Sequence, residues 1–172
     1  KLNNKVKGFV LDRSMDGIIT PKIEGKLSLR TSVTGMIQME DVKVPKTNLL
    51  NVEGMKGPFS CLNNARFGIS FGVLGSAEFC IQKALEYSLE RPLFNQLLTE
   101  KQLFQMKMAN MVTEYNLALL SCYYVADLLD KGNFTDFEMI SLLKRNSCQK
   151  SLEIVRTCRD SLGGNGISEE YE

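Results

Sequence analysis

Residues 57–89 limit the fold more than any other segment, because they are too apolar to face water on any side. The segment reads GPFSCLNNARFGISFGVLGSAEFCIQKALEYSL. A surface helix keeps a polar stripe, whereas the apolar residues here cover nearly the whole circumference of a helix. These residues are Phe67, Ile69, Phe71, Val73, Leu74, Ala77, Phe79 and Cys80. The segment predicts a central buried helix, and its apolar part is shorter than the roughly 20 residues that a membrane span needs.

Three glycines lie within this predicted helix, Gly68, Gly72 and Gly75. Each costs a helix interior roughly 1 kcal/mol relative to alanine, so some interaction must offset the cost. Their spacing leaves one face without side chains, where another backbone can come close. A neighbouring helix and a flat ligand are the two candidates, and helix packing is the simpler interpretation.

The composition excludes several classes of site and partner. The 172 residues, 44% of them hydrophobic, suffice for one domain or one and a half with a real core. The 21 basic and 20 acidic residues form no long blocks, so we expect no nucleic-acid partner and no anionic membrane surface. The chain has no histidine, which excludes imidazole zinc sites, Ser-His-Asp triads and histidine bases. No metal site is predicted, and any acid or base must be Asp, Glu, Lys, Tyr or Cys.

Five cysteines lie inside helical patterns without a Cys-x-x-Cys spacing. An odd number in such positions predicts reduced thiols that pack as small hydrophobes. They are Cys61, Cys80, Cys122, Cys148 and Cys158. No signal or transit pattern precedes Lys1, so we expect targeting information to be absent or removed and the sequence to be an internal piece.

The N-terminal part carries the signals of β-strands. Residues 6–11, 18–23 and 34–44 are separated by turn residues and predict a small antiparallel sheet. In the third segment the apolar alternation shifts by one residue near Glu40 and Asp41. That shift predicts a β-bulge.

Helices joined by short loops follow a connector at residues 48–58, which has no period. The central helix is predicted to end at Arg91, since Pro92 disfavours helical geometry in the residue before it. A second helix is predicted from a capping box at residues 99–102 to about Leu129.

Gly132 is predicted to end the second helix. A third helix is predicted from a capping box at residues 135–138 to Leu162, with Gly163 and Gly164 ending it. Ser168, followed by two glutamates, marks the start of a fourth.

The predicted fold class is α+β, a partial antiparallel β-domain followed by an incomplete up-and-down four-helix bundle with crossings near 20°. The predicted limits are residues 1–50 for the later part of the β-domain, 51–57 for a linker and 58–172 for the helical domain.

The loop after the central helix contains a candidate anion site. Arg91 and Phe94 lie in this loop, and Gln102 lies in the first turn of the next helix, where unpaired backbone N–H groups favour an anion. Together they can hold a phosphate and a flat ring. From these residues alone, an exposed arginine beside a solvated loop is the favoured alternative.

Residues 160–166, Asp-Ser-Leu-Gly-Gly-Asn-Gly, form a second candidate. The glycines follow a helix instead of opening one after a strand, so they are not a dinucleotide fingerprint. They suit an ordinary helix end, but they also permit close approach of a ligand to the backbone.

Several motifs occur together in a characteristic order: GPFSCLNNARFGISFGVLGSAEFC, then ERPLF followed by EKQ, then RDSLGGNGISEEYE. With GKLSLRTSVTGMI and DVKVP before them, they resemble the acyl-CoA dehydrogenase family. CLNNAR, SLLKRN and LGGNGIS are similar to the glutaryl-CoA dehydrogenases within it. The resemblance covers essentially the whole chain.

The resemblance implies an FAD enzyme with an N-terminal helical domain, a middle β-domain and a C-terminal four-helix domain, assembled as a homotetramer. This chain then holds the later part of the β-domain and most of the bundle. The family residues that contact the FAD of a neighbouring subunit match Arg91, Phe94, Gln102, Asp160, Ser161, Leu162, Gly163 and Gly164. The family stretch that lines the acyl-CoA site matches Phe59, Ser60, Cys61, Leu62, Asn63, Asn64, Ala65 and Arg66.

The loop departs from the family pattern. The usual Phe-Gly pair is Phe94-Asn95, the following proline is Leu97, and Pro92 is added after Arg91. Asparagine tolerates left-handed geometry, so we expect the turn to survive in a reshaped loop. With the resemblance, FAD contact becomes the favoured interpretation of Arg91.

Family chemistry removes an α-proton from the thioester with a glutamate while the β-hydrogen passes as hydride to the flavin. In glutaryl-CoA dehydrogenases that glutamate lies in a Tyr-Glu-Gly motif, which does not occur before Glu172. We therefore expect no catalytic residue in this chain. The residues that recognise the distal carboxylate of glutaryl-CoA likewise match positions before Lys1.

The resemblance implies oxidative decarboxylation of glutaryl-CoA to crotonyl-CoA, a step of lysine and tryptophan degradation, with electron-transferring flavoprotein as acceptor. The implied location is the mitochondrial matrix in a eukaryote or the cytoplasm in a bacterium. Another short-chain acyl-CoA dehydrogenase is the alternative within the class. A non-catalytic helical interaction fragment is the alternative from another class, because the Tyr-Glu-Gly motif is missing.

Overall fold

A computed structural model of the chain describes residues 4–132 and 137–171. The chain divides into two compact units, Lys1–Ser60 and Cys61–Glu172. Short strands make up the first unit, and helices with one small hairpin make up the second.

The N-terminal unit contains two antiparallel two-stranded sheets instead of the one sheet that the sequence predicts. One sheet pairs β1 with β4, and the other pairs β2 with β3. The strands are β1 (Lys7–Phe9), β2 (Ile18–Ile19), β3 (Gln38–Met39) and β4 (Leu49–Glu53). Residues 46–48 form a short 3-10 helix before β4.

Two sequence predictions in this unit are wrong. Strand β4 occupies residues that were predicted to form a connector, and its backbone pairs with β1. The prediction failed because the side chains of β4 are all exposed and show no apolar period. The predicted bulge at Glu40 and Asp41 is not a bulge, since β3 already ends at Met39 and Asp41 turns the chain with φ 48°. The shift in strand register lies instead in the pairing of β1 with β4.

Three helices form the C-terminal part of the chain, α1 (Lys56–Glu90), α2 (Gln102–Asp130) and α3 (Phe137–Ser161). A hairpin of β5 (Pro92–Leu93) and β6 (Gln96–Leu97) joins α1 to α2. The predicted ends of the helices are confirmed within a residue or two. Pro92 follows α1 closely, and Gly132, at φ 67°, donates its N–H to the Leu129 carbonyl at 3.0 Å after α2.

The core lies where the three helices meet, in two apolar clusters stacked along their length. Leu74 of α1 centres the first, with Ala118, Cys122, Val125, Ile140 and Leu143. The second comprises Ala77, Ile81, Ala84, Met111, Ile154 and Cys158. Buried serines continue this interface, and small side chains of this kind let helices pack closely.

The five cysteines are all free, as predicted. Cys122 and Cys158 are buried, Cys80 and Cys148 are half-buried, and Cys61 is exposed. Burial raises the pKa of the Cys158 thiol to about 12, so this group stays a neutral thiol that packs as an apolar side chain.

The prediction that α1 is buried on all sides is wrong for the described residues. Its buried residues, from Ser70 to Ser88, form one face, because α2 and α3 both pack on that side. Ile69 is 49% exposed on another side. Gly68, Gly72 and Gly75 are exposed, and a Cβ added to any of them meets no described atom within 4 Å.

The structure gives a different outcome for each of the predicted helix caps. Residues 98–100 form a separate 3-10 turn, and extended Lys101 precedes α2 without a side-chain cap, so the box at residues 99–102 is wrong. The box at residues 135–138 falls largely outside the described residues. Ser168 does act as a cap, since its Oγ accepts the Glu170 N–H at 3.2 Å, but the element it opens is a short 3-10 turn at Glu169–Tyr171.

None of the described helices is long and apolar enough to cross a membrane. Residues 4–132 and 137–171 contain no group of three or more His, Cys, Asp and Glu side chains that could hold a metal ion.

Candidate functional site

The loop that follows α1 is a tight hairpin, whose two turn residues both have positive φ. Phe94 has φ 52° and Asn95 has φ 64°, which is the geometry of a type I′ turn. The Leu98 N–H donates to the Arg91 carbonyl at 2.9 Å and closes the base of the hairpin. The turn therefore survives without glycine, as expected for Asn95, and Phe94 projects with 86% of its surface exposed.

The glycine segment after α3 folds into a 3-10 turn, Gly163–Ile167. Gly163 takes φ 60°, which lets the chain leave the helix. At Gly166 a Cβ would lie 2.3 Å from the Arg159 carbonyl oxygen, so no other residue fits without moving the backbone. At Gly164 nothing lies within 4 Å of an added Cβ, and the backbone there is open to a ligand.

A cavity of about 280 Å³ lies between this segment and the base of the hairpin. It brings Arg91 together with Asp160, Ser161, Leu162, Gly163 and Gly164, which are far apart in sequence. Phe94 and Gln102 do not line it. Gln102 is the exposed first residue of α2, and its backbone lies one element beyond the hairpin. A second cavity, of about 510 Å³, adjoins the first and shares Arg91 with it.

The charges around the first cavity favour an anion. Arg91 is exposed and forms no ion pair with the described residues, so its guanidinium is available. Asp160 is neutralised by Lys107, whose Nζ lies 2.5 Å from Asp160 Oδ2. The hydrogen bond and charge of Lys107 lower the pKa of Asp160. The open backbone at Gly164 and the available cation suit a dinucleotide pyrophosphate beside a backbone surface.

The structure adds three residues to the cavity that sequence reasoning missed, Tyr87, Leu93 and Leu98, and it also places Asn165 of the predicted segment 160–166 there. Tyr87 precedes Arg91, the first residue after α1, by four residues, so one helical turn brings both to the same side of the chain, and this spacing was the available signal.

The predicted acyl-CoA stretch lies near the start of α1. Asn63 and Arg66 are half-buried and face each other, with Arg66 Nη1 3.4 Å from Asn63 Oδ1. Phe59, Leu62 and the remaining residues of the stretch are exposed. Arg66 and Arg91 are separated by 25 residues, or about 38 Å at 1.5 Å per residue, so the two predicted sites lie at opposite ends of the helix.

A family model described as acyl-CoA dehydrogenase, C-terminal domain, matches residues 53–172. The chain belongs to the acyl-CoA dehydrogenase family. Members of this family are FAD-dependent dehydrogenases. The bundle fold predicted from the sequence is confirmed by this match and by the solved structures of the family.

Three relatives illustrate the similarity. A short/branched chain specific acyl-CoA dehydrogenase, mitochondrial, from Bos taurus is 33% identical over 95% of this chain and 38% of its own length. A 3-(aryl)acrylate reductase from Clostridium sporogenes is 30% identical over 95% of this chain and 44% of its own length. A glutaryl-CoA dehydrogenase from Mycobacterium smegmatis, solved in complex with FADH2, is 36% identical with a TM-score of 0.93 over 98% of this chain and 44% of that one. The chain thus spans less than half the length of these relatives.

Proposed function

We propose that the full-length protein is an FAD-dependent acyl-CoA dehydrogenase and that this chain supplies the part of its C-terminal domain that grips the cofactor. The observation that carries the proposal is the cavity that gathers Arg91 and the segment from Asp160 to Gly164. A free cation and an open backbone converge there, as an anionic dinucleotide requires.

Each residue has a role in this proposal. Arg91 binds the pyrophosphate through charge-assisted hydrogen bonds, and the backbone at Gly163 and Gly164 lies against the dinucleotide. Phe94, on the exposed hairpin tip, offers a flat ring to the same ligand from outside the cavity. FAD supplies the hydride acceptor of the reaction when bound.

The long separation along α1 supports a cofactor shared between subunits. Reacting atoms must come within about 3–3.5 Å of each other, yet Arg66 and Arg91 lie about 38 Å apart along one helix. In the proposed arrangement Arg66 and its neighbours serve the acyl-CoA of their own subunit, while Arg91 serves the FAD of the adjacent one.

The proposed partner for that arrangement is a second copy of the chain. The side of α2 opposite its buried face carries five exposed apolar side chains within about a quarter of the helix circumference. They are Leu103, Met106, Leu117, Leu120 and Tyr124. A stripe of this kind marks an interface, and we name it the α2 outer stripe. The homotetramer that the family resemblance implies is the proposed assembly.

The proposed substrate is glutaryl-CoA, oxidised and decarboxylated to crotonyl-CoA with electron-transferring flavoprotein as acceptor. The motifs CLNNAR and LGGNGIS and the likeness to the M. smegmatis glutaryl-CoA dehydrogenase support this choice. The proposed location is the mitochondrial matrix in a eukaryote or the cytoplasm in a bacterium. A second candidate is oxidation of a short or branched acyl-CoA, which is favoured by the 33% identity to the bovine enzyme of that name.

Substrate assays on the full-length protein separate these candidates. Release of CO₂ from glutaryl-CoA, with crotonyl-CoA as product, is the expected result. Oxidation of a branched short-chain acyl-CoA without CO₂ release from glutaryl-CoA favours the second candidate instead.

The cofactor role is tested with Arg91→Ala and, as control, Arg145→Ala, which removes an exposed arginine of α3 that lines neither cavity. A charge-assisted contact is worth about 1.5–3 kcal/mol, so Arg91→Ala is expected to weaken FAD binding about tenfold or more. Arg145→Ala is expected to leave it unchanged. Equal FAD affinity in the two variants would mean that Arg91 does not bind FAD and is only an exposed arginine of a solvated loop.

A further inference from the structure

The glycine segment that lines the cofactor cavity is held mainly by bonds within itself. The Asn165 N–H donates to the Leu162 carbonyl at 3.2 Å, and the Ser168 N–H donates to the Asn165 carbonyl at 3.0 Å. These bonds shape the turn, but they do not fix it relative to α1. Its distance from Arg91 therefore depends on the packing of α3 against α1 and on any direct contact between the segment and α1.

That contact is made by Tyr87. Asn165 Nδ2 donates a hydrogen bond to the Tyr87 hydroxyl at 3.1 Å, across 78 residues of sequence. In residues 4–132 and 137–171 this is the one side-chain hydrogen bond between the glycine segment and α1. Tyr171, just beyond the segment, sets its ring edge-on to the Tyr87 ring, with centroids 5.5 Å apart and planes at 87°.

Tyr87 is well placed to set the width of the cavity. It lies in the last turn of α1, four residues before Arg91, and both residues line the same two cavities as Asn165. Ser88, its neighbour in α1, is fully buried and bonds the Ala84 carbonyl, so this part of the helix is firmly seated. A tether from a rigid helix to a glycine-rich turn restricts the turn without adding side chains to it.

We infer that Tyr87 is a positioning residue for cofactor binding, which holds the Gly163–Gly164 backbone at a fixed distance from Arg91 through Asn165. The inference rests on the proposed cofactor role of this cavity. It predicts that the hydroxyl oxygen, and not only the ring, matters for binding. The ring contact with Tyr171 supports the same geometry from the far side of the turn.

The test uses Tyr87→Phe, which keeps the ring and removes one hydroxyl, in the full-length protein. Tyr123→Phe is the matched control, because Tyr123 is exposed on α2, lies outside the α2 outer stripe and lines neither cavity. Loss of a neutral hydrogen bond is expected to weaken FAD binding about three- to tenfold. The KM for the acyl-CoA substrate is expected to stay within about twofold, since the substrate stretch lies at the other end of α1.

A second measurement does not depend on the cofactor. Amide hydrogen exchange of the flavin-free protein is expected to rise about three- to tenfold at residues 163–166 in Tyr87→Phe and to stay unchanged in the middle of α2. Asn165→Ala removes the other partner of the same bond. It is expected to match Tyr87→Phe in FAD affinity, and the double variant is expected to be no weaker than Asn165→Ala alone.

Two results would overturn the inference. One is a Tyr87→Phe protein with the FAD affinity and exchange rates of the Tyr123→Phe control. The other is faster exchange at residues 163–166 with unchanged FAD affinity, which would make the bond structural only. A wild-type protein that binds no FAD is a different failure, since it would remove the proposed function on which the inference rests.

Discussion

Lys107 of α2 and Asp160 of α3 form an ion pair at the edge of the proposed cofactor cavity, with Lys107 Nζ 2.5 Å from Asp160 Oδ2. Asp160 also lines the cavity, so its negative charge lies where an anionic ligand is proposed to bind. The pair ties α2 to the last turn of α3 and cancels that charge. Both functions depend on Lys107 remaining protonated and Asp160 ionised.

Lys107→Met is expected to weaken FAD binding, because Asp160 then faces the pyrophosphate uncompensated, and this loss is expected to shrink at high ionic strength, where salt screens the Asp160 charge. FAD titrations at low and high salt measure both effects. Lys131→Met is the control, since Lys131 pairs with Asp127 at 2.6 Å on the surface of α2 away from the cavity. A salt-independent loss in both variants would contradict this account.

The same pair predicts a pH dependence of stability. Lys107 lowers the pKa of Asp160 below its ordinary 3.8, so the stabilisation is present above that value and is lost as the pH falls through the lower folded-state pKa. The effect is at most about 1 kcal/mol because solvent screens an exposed pair. In Lys107→Met the pKa of Asp160 is expected to rise toward 3.8, and NMR titration of its carboxyl group measures the change. An unchanged titration curve would show that the pair does not form in solution.

Phe94→Gly is expected to raise the free energy of unfolding by about 1 kcal/mol and to weaken FAD binding at the same time. The gain in stability arises because Phe94 has φ 52°, a left-handed conformation that costs a side chain about 1–2 kcal/mol. The loss of affinity arises because the exposed ring no longer contacts the cofactor. Denaturant unfolding and FAD titration measure the two effects separately.

Asn95→Gly is the matched control for Phe94→Gly. It relieves positive φ in the same turn, at 64°, without removing a ring. It is therefore expected to stabilise the hairpin slightly and to leave FAD affinity unchanged. Equal FAD affinity in the two variants would exclude Phe94 from the cofactor site.

Local signals in the sequence were enough to locate the helices. Pro92 and Gly132 limit α1 and α2 through their own backbone chemistry, and both ends were predicted correctly. The hairpin after α1 was not predicted, because strands of two residues have no period to detect. Strand β4 was missed for a related reason, since it is paired by its backbone while its side chains are exposed.

The candidate site was only partly accessible from the sequence. The motif around Arg91 and the glycine segment were recognisable, and the structure brings them to one cavity. The pair of Lys107 and Asp160 spans 53 residues, and the pair of Tyr87 and Asn165 spans 78. Such contacts depend on how helices pack, and no local pattern marks them. The same limit explains why α1 was expected to be buried all round, since apolar side chains do not reveal which face α2 and α3 cover.

Gly72→Ala is expected to have opposite effects in two contexts. In the 172-residue chain it is expected to raise stability by about 0.5–1 kcal/mol, because no described atom lies within 4 Å of the added Cβ and alanine favours the helix. In the full-length assembly it is expected to lower stability, since we interpret the glycine face as a helix-packing surface. Thermal unfolding of both proteins shows whether the substitution raises or lowers stability in each of them.

Gly166→Ala is the control for that comparison. Its Cβ would lie 2.3 Å from the Arg159 carbonyl oxygen, so it is expected to destabilise both proteins. A stabilising Gly72→Ala in the full-length assembly would show that nothing packs on the glycine face. Gly68, Gly72 and Gly75 would then have no role in helix packing.

Leu120→Glu is expected to dissociate the full-length protein into smaller species, because it places a charge in the α2 outer stripe. Leu120 is 64% exposed, so the change does not disturb the core of its own subunit. Leu142→Glu is the matched control, since Leu142 is 58% exposed on α3 and lies outside the stripe. Sedimentation velocity is expected to show a smaller particle only for Leu120→Glu, together with weaker FAD binding, because the cofactor is proposed to lie between subunits. A tetramer that withstands Leu120→Glu would mean that the copies associate through another surface, and the exposed side of α2 would then need a different partner.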